Sequence, residues 1–184
     1  MAIQTAIEWY TPRKYLDAAI QVMGAIDLDP ASSAAAQKHV QAGRYYTMED
    51  DGLKQRWQGR VFLHPPHAGK LISSFTGKMV ESWKSGDMTE GILLTVNATD
   101  TKWFQSTSAF SSAICFTQGR ISFLEAWDGE VVEKTSPTHG QLFFYFGGKV
   151  ELFTEVFFEF GSVVRPYDQI HALPIASKKE RDNA

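Results

Sequence analysis

Apolar residues recur three or four positions apart in several segments of the chain, which is the spacing of one face of an α-helix. In the first such segment Pro12 suits an opening helical turn and Gly24 suits a helix end. The Ala-rich second segment begins with Ser32 and Ser33, either of which suits an N-cap. The pattern predicts helices at residues 12–24, 32–40, 71–85 and 101–111.

Short apolar runs lie between these segments and predict β-strands. Asp128-Gly129 is a turn pair, and it predicts a hairpin between strands at residues 121–124 and 131–132. Residues 44–58 are expected to be irregular, whereas the apolar spacing of residues 153–160 fits a helix or a strand equally well. Further strands are expected at residues 26–28, 61–63, 91–96, 113–116 and 141–146.

Strands alternate with helices through most of the chain, an order typical of an α/β domain. We expect one domain over residues 1–170, with a mostly parallel central sheet, an antiparallel edge and helices on both faces, followed by a polar tail at residues 171–184. Ligand sites in such sheets lie beyond the carboxyl ends of the strands. The segments 29–30, 64–67 and 97–100 each follow a strand and are therefore expected to converge on one crevice.

Composition suggests a globular protein with a sizeable core, since 43% of the 184 residues are hydrophobic. No apolar run reaches the ~18 residues of a membrane span, and the first residues lack the features of a signal peptide, so a cytoplasmic location is expected. The net charge of −3 excludes a global basic field for nucleic acid. Candidates for local contacts with phosphates are Lys70, Lys78, Lys84, Lys102 and Arg120.

Cys115 is the single cysteine of this sequence, which excludes an internal disulfide and a multi-cysteine zinc site. It lies inside an apolar run. We expect a buried core residue there, because burial raises the pKa of a thiol and suppresses its reactivity.

The predicted strand at residues 61–63 stops at a rigid corner, in the stretch RVFLHPPHAGK. Pro65 and Pro66 cannot donate to a sheet, and each fixes its own φ. His64 and His67 flank them. Strand ends of this kind are where α/β enzymes place their chemistry. The two histidines are also compatible with ordinary loop residues, or with metal ligands if further ligands join them.

Several segments together resemble a known enzyme family. They are EWYTPRKYLDAAIQVMGAIDLDPAS, YYTMEDDGLKQRWQGRVFLHPPHAGK, VNATDTKWFQ and CFTQGRISFL, in this order over about residues 7–162. They resemble the phage-type DNA adenine-N6 methyltransferases. The resemblance implies a Rossmann-like methyltransferase fold, S-adenosylmethionine as cofactor and adenine in DNA as substrate. It also implies protection of phage DNA from restriction inside a bacterial host cell, and it leaves a homodimer open.

The resemblance implies cofactor-binding residues in an N-terminal segment, in the first-strand segment and in a turn before the Pro-Pro corner. In the second of these, Asp-Pro-Ala-Ser replaces the usual methyltransferase glycine loop. The last two segments are also compatible with plain turns. The matching residues are Tyr10, Thr11, Pro12, Asp27, Asp29, Pro30, Asp51, Gly52 and Leu53.

His64, Pro65, Pro66 and His67 match the catalytic tetrapeptide of the family, which has Asn or Asp first and an aromatic residue, usually Tyr, last. An adenine amine is a poor nucleophile because its lone pair is delocalised into the ring. A side-chain acceptor and the carbonyl of the first proline bind its two N–H groups, while the last residue stacks on the flipped base. A neutral His64 has one acceptor nitrogen, and His67 has a flat but smaller π face.

The two histidines leave several functions open. The leading hypothesis is a DNA adenine methyltransferase with an altered active site. A second is a non-catalytic protein that keeps the fold and binds DNA or a protein partner, and a third is transfer of another group or to another acceptor. If the pKa of His64 is near the ~6.5 of an unperturbed histidine, any activity is expected to rise from about pH 5.5 to about pH 7.5 and then level off.

Little DNA sequence specificity is expected, because no separate recognition domain interrupts the motifs. Binding is then expected to depend mainly on phosphate contacts and to weaken steeply with salt. The residues predicted to make these contacts are Lys70, Lys102 and Arg120.

Overall fold

The computed structural model describes residues 9–127, 130–133 and 138–166 of the chain. The predicted turn at Asp128-Gly129 and the predicted tail at residues 171–184 lie outside these residues. The helices are α1 (Arg13–Met23), α2 (Gln37–Val40), α3 (Leu71–Lys84), α4 (Lys102–Phe110) and α5 (Val150–Phe157). The strands are β1 (Trp9–Tyr10), β2 (Leu28–Asp29), β3 (Arg44–Tyr45), β4 (Gly59–Leu63), β5 (Met88–Val96), β6 (Ala113–Thr117), β7 (Leu124–Trp127), β8 (Glu130–Glu133), β9 (Gln141–Phe146) and β10 (Gly161–Val164).

Seven strands form the central sheet, in the order β10-β6-β9-β5-β4-β2-β3. The strands β3, β2, β4 and β5 pair in parallel. The strand β9 pairs antiparallel with β5 and β6, and β10 pairs antiparallel with β6. The predicted α/β fold is thus confirmed, with a parallel centre and an antiparallel edge region, and it is consistent with a methyltransferase fold.

Alternate residues of each strand point to opposite faces of the sheet, and helices cover both faces. Phe62 packs with α1 and α5 on one face. Its neighbours Val61 and Leu63 pack with α3 and α4 on the other. All three are at most 1% exposed, as expected for a strand covered on both sides.

The helix at residues 12–24 forms as predicted. Pro12 stands just before α1 with a φ of −59°, and Gly24 follows it with a φ of 90°, a left-handed conformation that favours glycine. Gly24 N–H closes the helix on the Ile20 carbonyl oxygen at 2.6 Å. The segment after the helix therefore turns back at once to enter β2.

The helix predicted at residues 32–40 is shorter in the structure, where α2 begins only at Gln37. Ser33 Oγ accepts a hydrogen bond from Ala36 N–H at 3.2 Å, and Ser32 N–H donates to the Tyr46 carbonyl at 2.9 Å. Side-chain and cross-chain bonds of this kind compete with helix formation. The segment consequently lies along the cleft that is described below.

The structure differs from the prediction, or decides it, in other parts of the chain as well. Residues 44–45 form β3, and residues 161–164 form β10, although neither strand was predicted. The undecided segment is the helix α5. A hairpin of β7 and β8 is found, but β7 begins only at Leu124, the last residue of the predicted strand 121–124. The hairpin pairs with β1 in a separate three-stranded sheet. This small sheet holds the chain next to Thr11 and Phe123 over the end of β4.

Candidate active site

Two neighbouring strands and the segment after β1 meet in one cleft. The strand β2 ends at Asp29, and β4 is followed directly by His64. Thr11 lies between β1 and α1, and all three residues line a cleft of about 50 Å³. Because β2 and β4 are adjacent and parallel, their carboxyl ends bring Asp29 and His64 together. The predicted convergence of these two segments is found.

The third segment of that prediction stays outside the cleft. Residues 97–100 follow β5 at the same edge of the sheet but are not among the lining residues. Asn97 N–H donates to the Gly140 carbonyl at 2.8 Å, which ties this segment to the chain entering β9.

The imidazole of His64 has neighbours on several sides. The ring of Phe123 stacks on it with centroids 4.9 Å apart and planes inclined by 16°. The ring of His67 lies edge-on, 5.5 Å away. Thr11 Oγ1 is 3.4 Å from His64 Nδ1. No hydrogen bond to His64 Nε2 occurs among the described residues, so this nitrogen is the one left for a ligand.

Burial lowers the pKa of His64 to about 3, and the nearby charge of His67 lowers it further in the same direction. The folded protein therefore holds His64 neutral at physiological pH. The condition for a rise in activity between about pH 5.5 and about pH 7.5, a His64 pKa near the usual histidine value, is therefore not met. A neutral imidazole keeps one nitrogen lone pair that can accept a hydrogen bond.

The Pro-Pro corner follows His64 without a break. Pro65 is buried, and Pro66 and His67 are exposed. The Pro65 carbonyl oxygen has no hydrogen-bond donor in the described part of the chain, so it can accept a bond from a ligand. The His67 side chain reaches the surface, but partial burial of its ring lowers its pKa. The nearby charge of His139 lowers the pKa of His67 further.

Asp29 is a buried carboxylate on the cleft wall and is 4% exposed. Burial raises its pKa to about 6, although hydrogen bonds from Ser32, Ala31 N–H and Gln37 favour the charged form. Gln37 Nε2 donates to Asp29 Oδ2 at 2.9 Å, which fixes one carboxylate oxygen. A buried carboxylate of this kind gains stability when a cationic or hydroxyl-bearing ligand approaches it.

Pro30 continues from Asp29 and is packed against a turn before the corner. A Cβ on Gly52 would collide with the Pro30 carbonyl oxygen, so the absence of a side chain at Gly52 permits this approach. Trp57 Nε1 donates to the Gly52 carbonyl at 2.8 Å, and this buried hydrogen bond stabilises the turn. Two of the predicted cofactor segments are thus in contact.

The other two residues of that turn point away from the cleft. Asp51 pairs with Lys54 at 2.9 Å, and this hydrogen bond lowers the pKa of Asp51. Leu53 packs on the core of the α3 and α4 face, and its carbonyl accepts a bond from Lys78 at 2.7 Å. Neither side chain lines the cleft.

The N-terminal segment contributes two of its three predicted residues to the lining. Tyr10 and Thr11 line the cleft and are both buried, whereas Pro12 begins α1 and does not. The ring of His39 stacks on Tyr10 with centroids 5.7 Å apart, and it also lines the cleft.

Asp27 is separated from these residues. It precedes β2, at the edge where the strands begin, and it binds Arg60 through two hydrogen bonds of 2.6 and 2.7 Å. Arg60 N–H donates to the same carboxylate at 2.8 Å. This hydrogen bonding lowers the pKa of Asp27. The structure therefore places Asp27 in an ion pair outside the cleft, and Asp29 alone of the two acids reaches it.

The three predicted phosphate contacts share one edge of the sheet. Lys70 precedes α3, Lys102 opens α4 and Arg120 follows β6, so each comes after the carboxyl end of a strand. All three are exposed. Lys84, at the other end of α3, lies at the opposite edge. Despite the net negative charge of the chain, cations are thus present around the edge that contains the cleft.

Cys115 is fully buried in the core, as predicted, and burial raises the pKa of its thiol to about 12. No group of three or more His, Cys, Asp or Glu side chains in residues 9–127, 130–133 and 138–166 is arranged to hold a metal ion. Among the described helices, each is too short or too polar to serve as a membrane span.

Sequence reasoning missed His39 and Phe123. Phe123 is 2% exposed and belongs to an ordinary apolar run. Its position against His64 depends on how β6, β7 and the small sheet are placed, which no local pattern encodes. His39 lies in the Ala-rich segment, where its neighbours give no indication of a ligand site.

The model of the DNA N-6-adenine-methyltransferase (Dam) family matches residues 4–161 of the chain. The match covers most of the 184 residues. The chain therefore belongs to this family, as its motifs predicted. Membership implies methylation of adenine N6 in DNA as the class of reaction. No curated protein matches the chain.

Proposed function

We propose that this chain transfers a methyl group from S-adenosylmethionine to N6 of adenine in DNA, with neutral His64 in place of the usual Asn or Asp. The observation that carries the proposal is the cleft that Asp29, Thr11 and His64 line together, with Nδ1 of His64 next to Thr11 and no hydrogen bond to Nε2 from the described residues. Family membership supports the reaction class. A role in protecting phage DNA from restriction is part of the proposal and rests on the resemblance to the phage-type enzymes.

The cleft fits the cofactor on its own chemistry. Asp29 is a buried acceptor whose charge lacks a cationic partner among the described residues, and it suits the ammonium or hydroxyl groups of S-adenosylmethionine. Thr11 adds a hydroxyl, and Tyr10 and His39 add aromatic surface. The contact between Pro30 and Gly52 shapes the adjoining wall. When bound, this cofactor supplies an electrophilic methyl group on a sulfonium.

The acceptors for the amine come from the Pro-Pro corner. His64 Nε2 accepts one N–H of the adenine amine, and the Pro65 carbonyl accepts the other. The two acceptors draw the nitrogen toward tetrahedral geometry and direct its lone pair at the methyl group. Because the pKa of His64 is about 3, the imidazole is neutral, and its unprotonated nitrogen acts as a hydrogen-bond acceptor. As the bond between the methyl carbon and sulfur breaks and the bond to N6 forms, the sulfonium becomes a neutral thioether, and the proton that N6 loses passes to water. His67 offers its exposed ring to the flipped base.

DNA is held mainly through its phosphates, with little sequence preference. Lys70, Lys102 and Arg120 are the cations proposed for this task. Each phosphate contact contributes about one unit to the slope of log affinity against log salt. Lys102→Gln should reduce that slope by about one, and the control Lys84→Gln, at the opposite edge of the sheet, should not.

Mass spectrometry of nucleosides tests the reaction directly. DNA is incubated with the protein and methyl-labelled S-adenosylmethionine, and labelled N6-methyl-2′-deoxyadenosine is expected. The double variant His64→Asn with His67→Tyr restores the family pattern and should methylate about 10-fold faster or more, as expected for a better-aimed acceptor. A wild type that methylates faster than His64→Asn would mean that the histidine is an adaptation.

Two outcomes would replace the proposal. If the wild type is inert while the double variant methylates adenine, the natural chain is a lapsed enzyme on an intact scaffold. If both bind the cofactor and neither methylates DNA, the cleft has a binding function or a different acceptor.

A further inference from the structure

Thr11 contacts one of the two ring nitrogens of His64, Nδ1. Its side chain is 4% exposed, and Thr11 Oγ1 is 3.4 Å from His64 Nδ1. In the described part of the chain this is the one hydrogen bond that the Thr11 hydroxyl makes. The two residues are 53 positions apart in the chain, so the contact is a product of the fold.

A neutral imidazole carries a single N–H, and its location decides what the ring can do. If Nε2 carries the hydrogen, the ring presents a donor to the cleft and opposes the N–H groups of an amine. If Nδ1 carries it, Nε2 presents a lone pair. The Phe123 ring covers one face of the imidazole. A ligand in the cleft is therefore expected to contact the edge of the imidazole, where its nitrogens lie.

We propose that Thr11 is a positioning residue that accepts a hydrogen bond from His64 Nδ1–H and thereby leaves Nε2 as the acceptor for the adenine amine. This role rests on the proposed function. Thr11 would allow a histidine at this position to act as the hydrogen-bond acceptor for the amine. Thr11 also lines the cleft, so its own hydroxyl hydrogen can be donated to water or to the cofactor there. The Thr11 hydroxyl then both accepts a hydrogen bond through its oxygen and donates one through its hydrogen.

Nuclear magnetic resonance of the protein labelled with ¹⁵N-histidine reads the tautomer without any reaction. Two-bond ¹H–¹⁵N spectra at neutral pH resolve protonated from unprotonated ring nitrogens, and the His64 signals are assigned by their loss in His64→Gln. We expect a protonated Nδ1 and an unprotonated Nε2 in the wild type. A wild type with the hydrogen on Nε2 overturns the proposal, whatever its activity.

Variants of Thr11 test whether the hydroxyl is responsible. Thr11→Val keeps the shape but removes the hydroxyl, and it should shift His64 toward the other tautomer, whereas Thr11→Ser should retain the wild-type pattern. Thr95→Val is the matched control, because Thr95 is fully buried and its hydroxyl lacks a partner among the described residues. An unchanged His64 spectrum in Thr11→Val would overturn the proposal. The wild-type spectrum decides the tautomer even if Thr11→Val fails to fold.

Kinetics separate this role from direct cofactor binding. At saturating cofactor, Thr11→Val should lower kcat by about 10-fold, less than the ~10²–10³ of a hydrogen bond made directly to the reacting group, because Thr11 acts only through His64. In the His64→Asn background the same change should have little effect, because Asn has no tautomer to select. Equal losses in both backgrounds would overturn the proposal. If the wild type shows the expected tautomer but methylates no DNA, the proposed function fails while the assignment of Thr11 stands.

Discussion

The imidazole of His64 lies face to face with the ring of Phe123, with centroids 4.9 Å apart and planes inclined by 16°. Phe123 is 2% exposed and comes from the segment between β6 and β7, far along the chain from the Pro-Pro corner. The stack withdraws one face of the imidazole from water. It thereby contributes to the burial that lowers the pKa of His64 to about 3.

The rate of methylation should not titrate with His64 near neutral pH. Only the neutral imidazole can accept the amine hydrogen, and with a pKa of about 3 it is neutral well below physiological pH. With cofactor and DNA saturating, kcat should be flat with respect to this group from about pH 5 to about pH 8. A single-turnover pH profile measures this. A rise with its midpoint near ~6.5 would show that His64 is not shielded as described.

Phe123→Leu should raise the pKa of His64 toward the ordinary histidine value, because a smaller side chain admits water to the ring. It should also lower the free energy of unfolding by about 1 kcal/mol through loss of the aromatic pair. Titration of the His64 resonances measures the first effect, and urea denaturation the second. Phe110→Leu is the control, since Phe110 is 40% exposed at the end of α4. If the pKa of His64 is the same in Phe123→Leu as in the wild type, residues other than Phe123 exclude water from the imidazole.

His64 should make the protein sensitive to acid. The folded pKa of about 3 lies below the unfolded value, so the unfolded chain takes up a proton first as the pH falls. The stability conferred by neutral His64 is complete above about pH 6.5 and is lost on the way down to about pH 3. Between about pH 7 and about pH 5 the wild type should lose about 1–2 kcal/mol more unfolding free energy than His64→Asn.

Asp29 shifts stability in the opposite direction, because its folded pKa of about 6 lies above the ordinary pKa of an aspartate. That contribution is full below about pH 4 and is lost as the pH rises through about 6. The comparison between wild type and His64→Asn cancels it. Chemical denaturation of both proteins over this range makes the measurement, and equal losses would contradict the prediction.

Binding of S-adenosylmethionine should strengthen as Asp29 ionises. The ionised carboxylate attracts the cationic end of the cofactor, so affinity should rise through about pH 6 and then level off. Asp29→Asn should bind at least about 10-fold more weakly at neutral pH, as expected for the loss of a charge-assisted hydrogen bond. Isothermal titration calorimetry measures both.

Asp27→Asn is the matched control for Asp29, because Asp27 lies two positions away and pairs with Arg60 outside the cleft. It should bind the cofactor as the wild type does and lose at most about 1 kcal/mol of stability, as is usual for a partly exposed ion pair. If Asp27→Asn binds the cofactor more weakly than Asp29→Asn does, then Asp27, and not Asp29, is the cofactor-binding carboxylate.

Gly52→Ala should be costly, since the new methyl group would collide with the Pro30 carbonyl oxygen. We expect a loss of about 1–3 kcal/mol of stability and weaker cofactor binding, because the backbone must shift to relieve the overlap. Gly77→Ala in α3 is the control, because a Cβ there meets no atom within 4 Å. That change should stabilise the protein by about 0.5–1 kcal/mol through helix propensity. Thermal unfolding compares the two, and similar melting temperatures would refute the prediction.

Local patterns in the sequence were sufficient for most elements and for the corner of the site. The helix α1 begins after Pro12 and ends at Gly24, and β4 stops at the Pro-Pro corner, because prolines and glycines act through their own backbone. The alternation of strands and helices correctly predicted the α/β fold and the meeting of Asp29 with His64.

Only the tertiary structure decided the environment of each candidate residue. It separated Asp29 from Asp27, joined Thr11 to His64 across 53 positions, and brought Phe123 onto the imidazole. It also paired the hairpin of β7 and β8 with β1 rather than with the central sheet. Periodicity records which face of an element is apolar, but not which distant element covers it. A pKa depends on those distant neighbours and on the water that they exclude, so the state of His64 was not readable from the sequence.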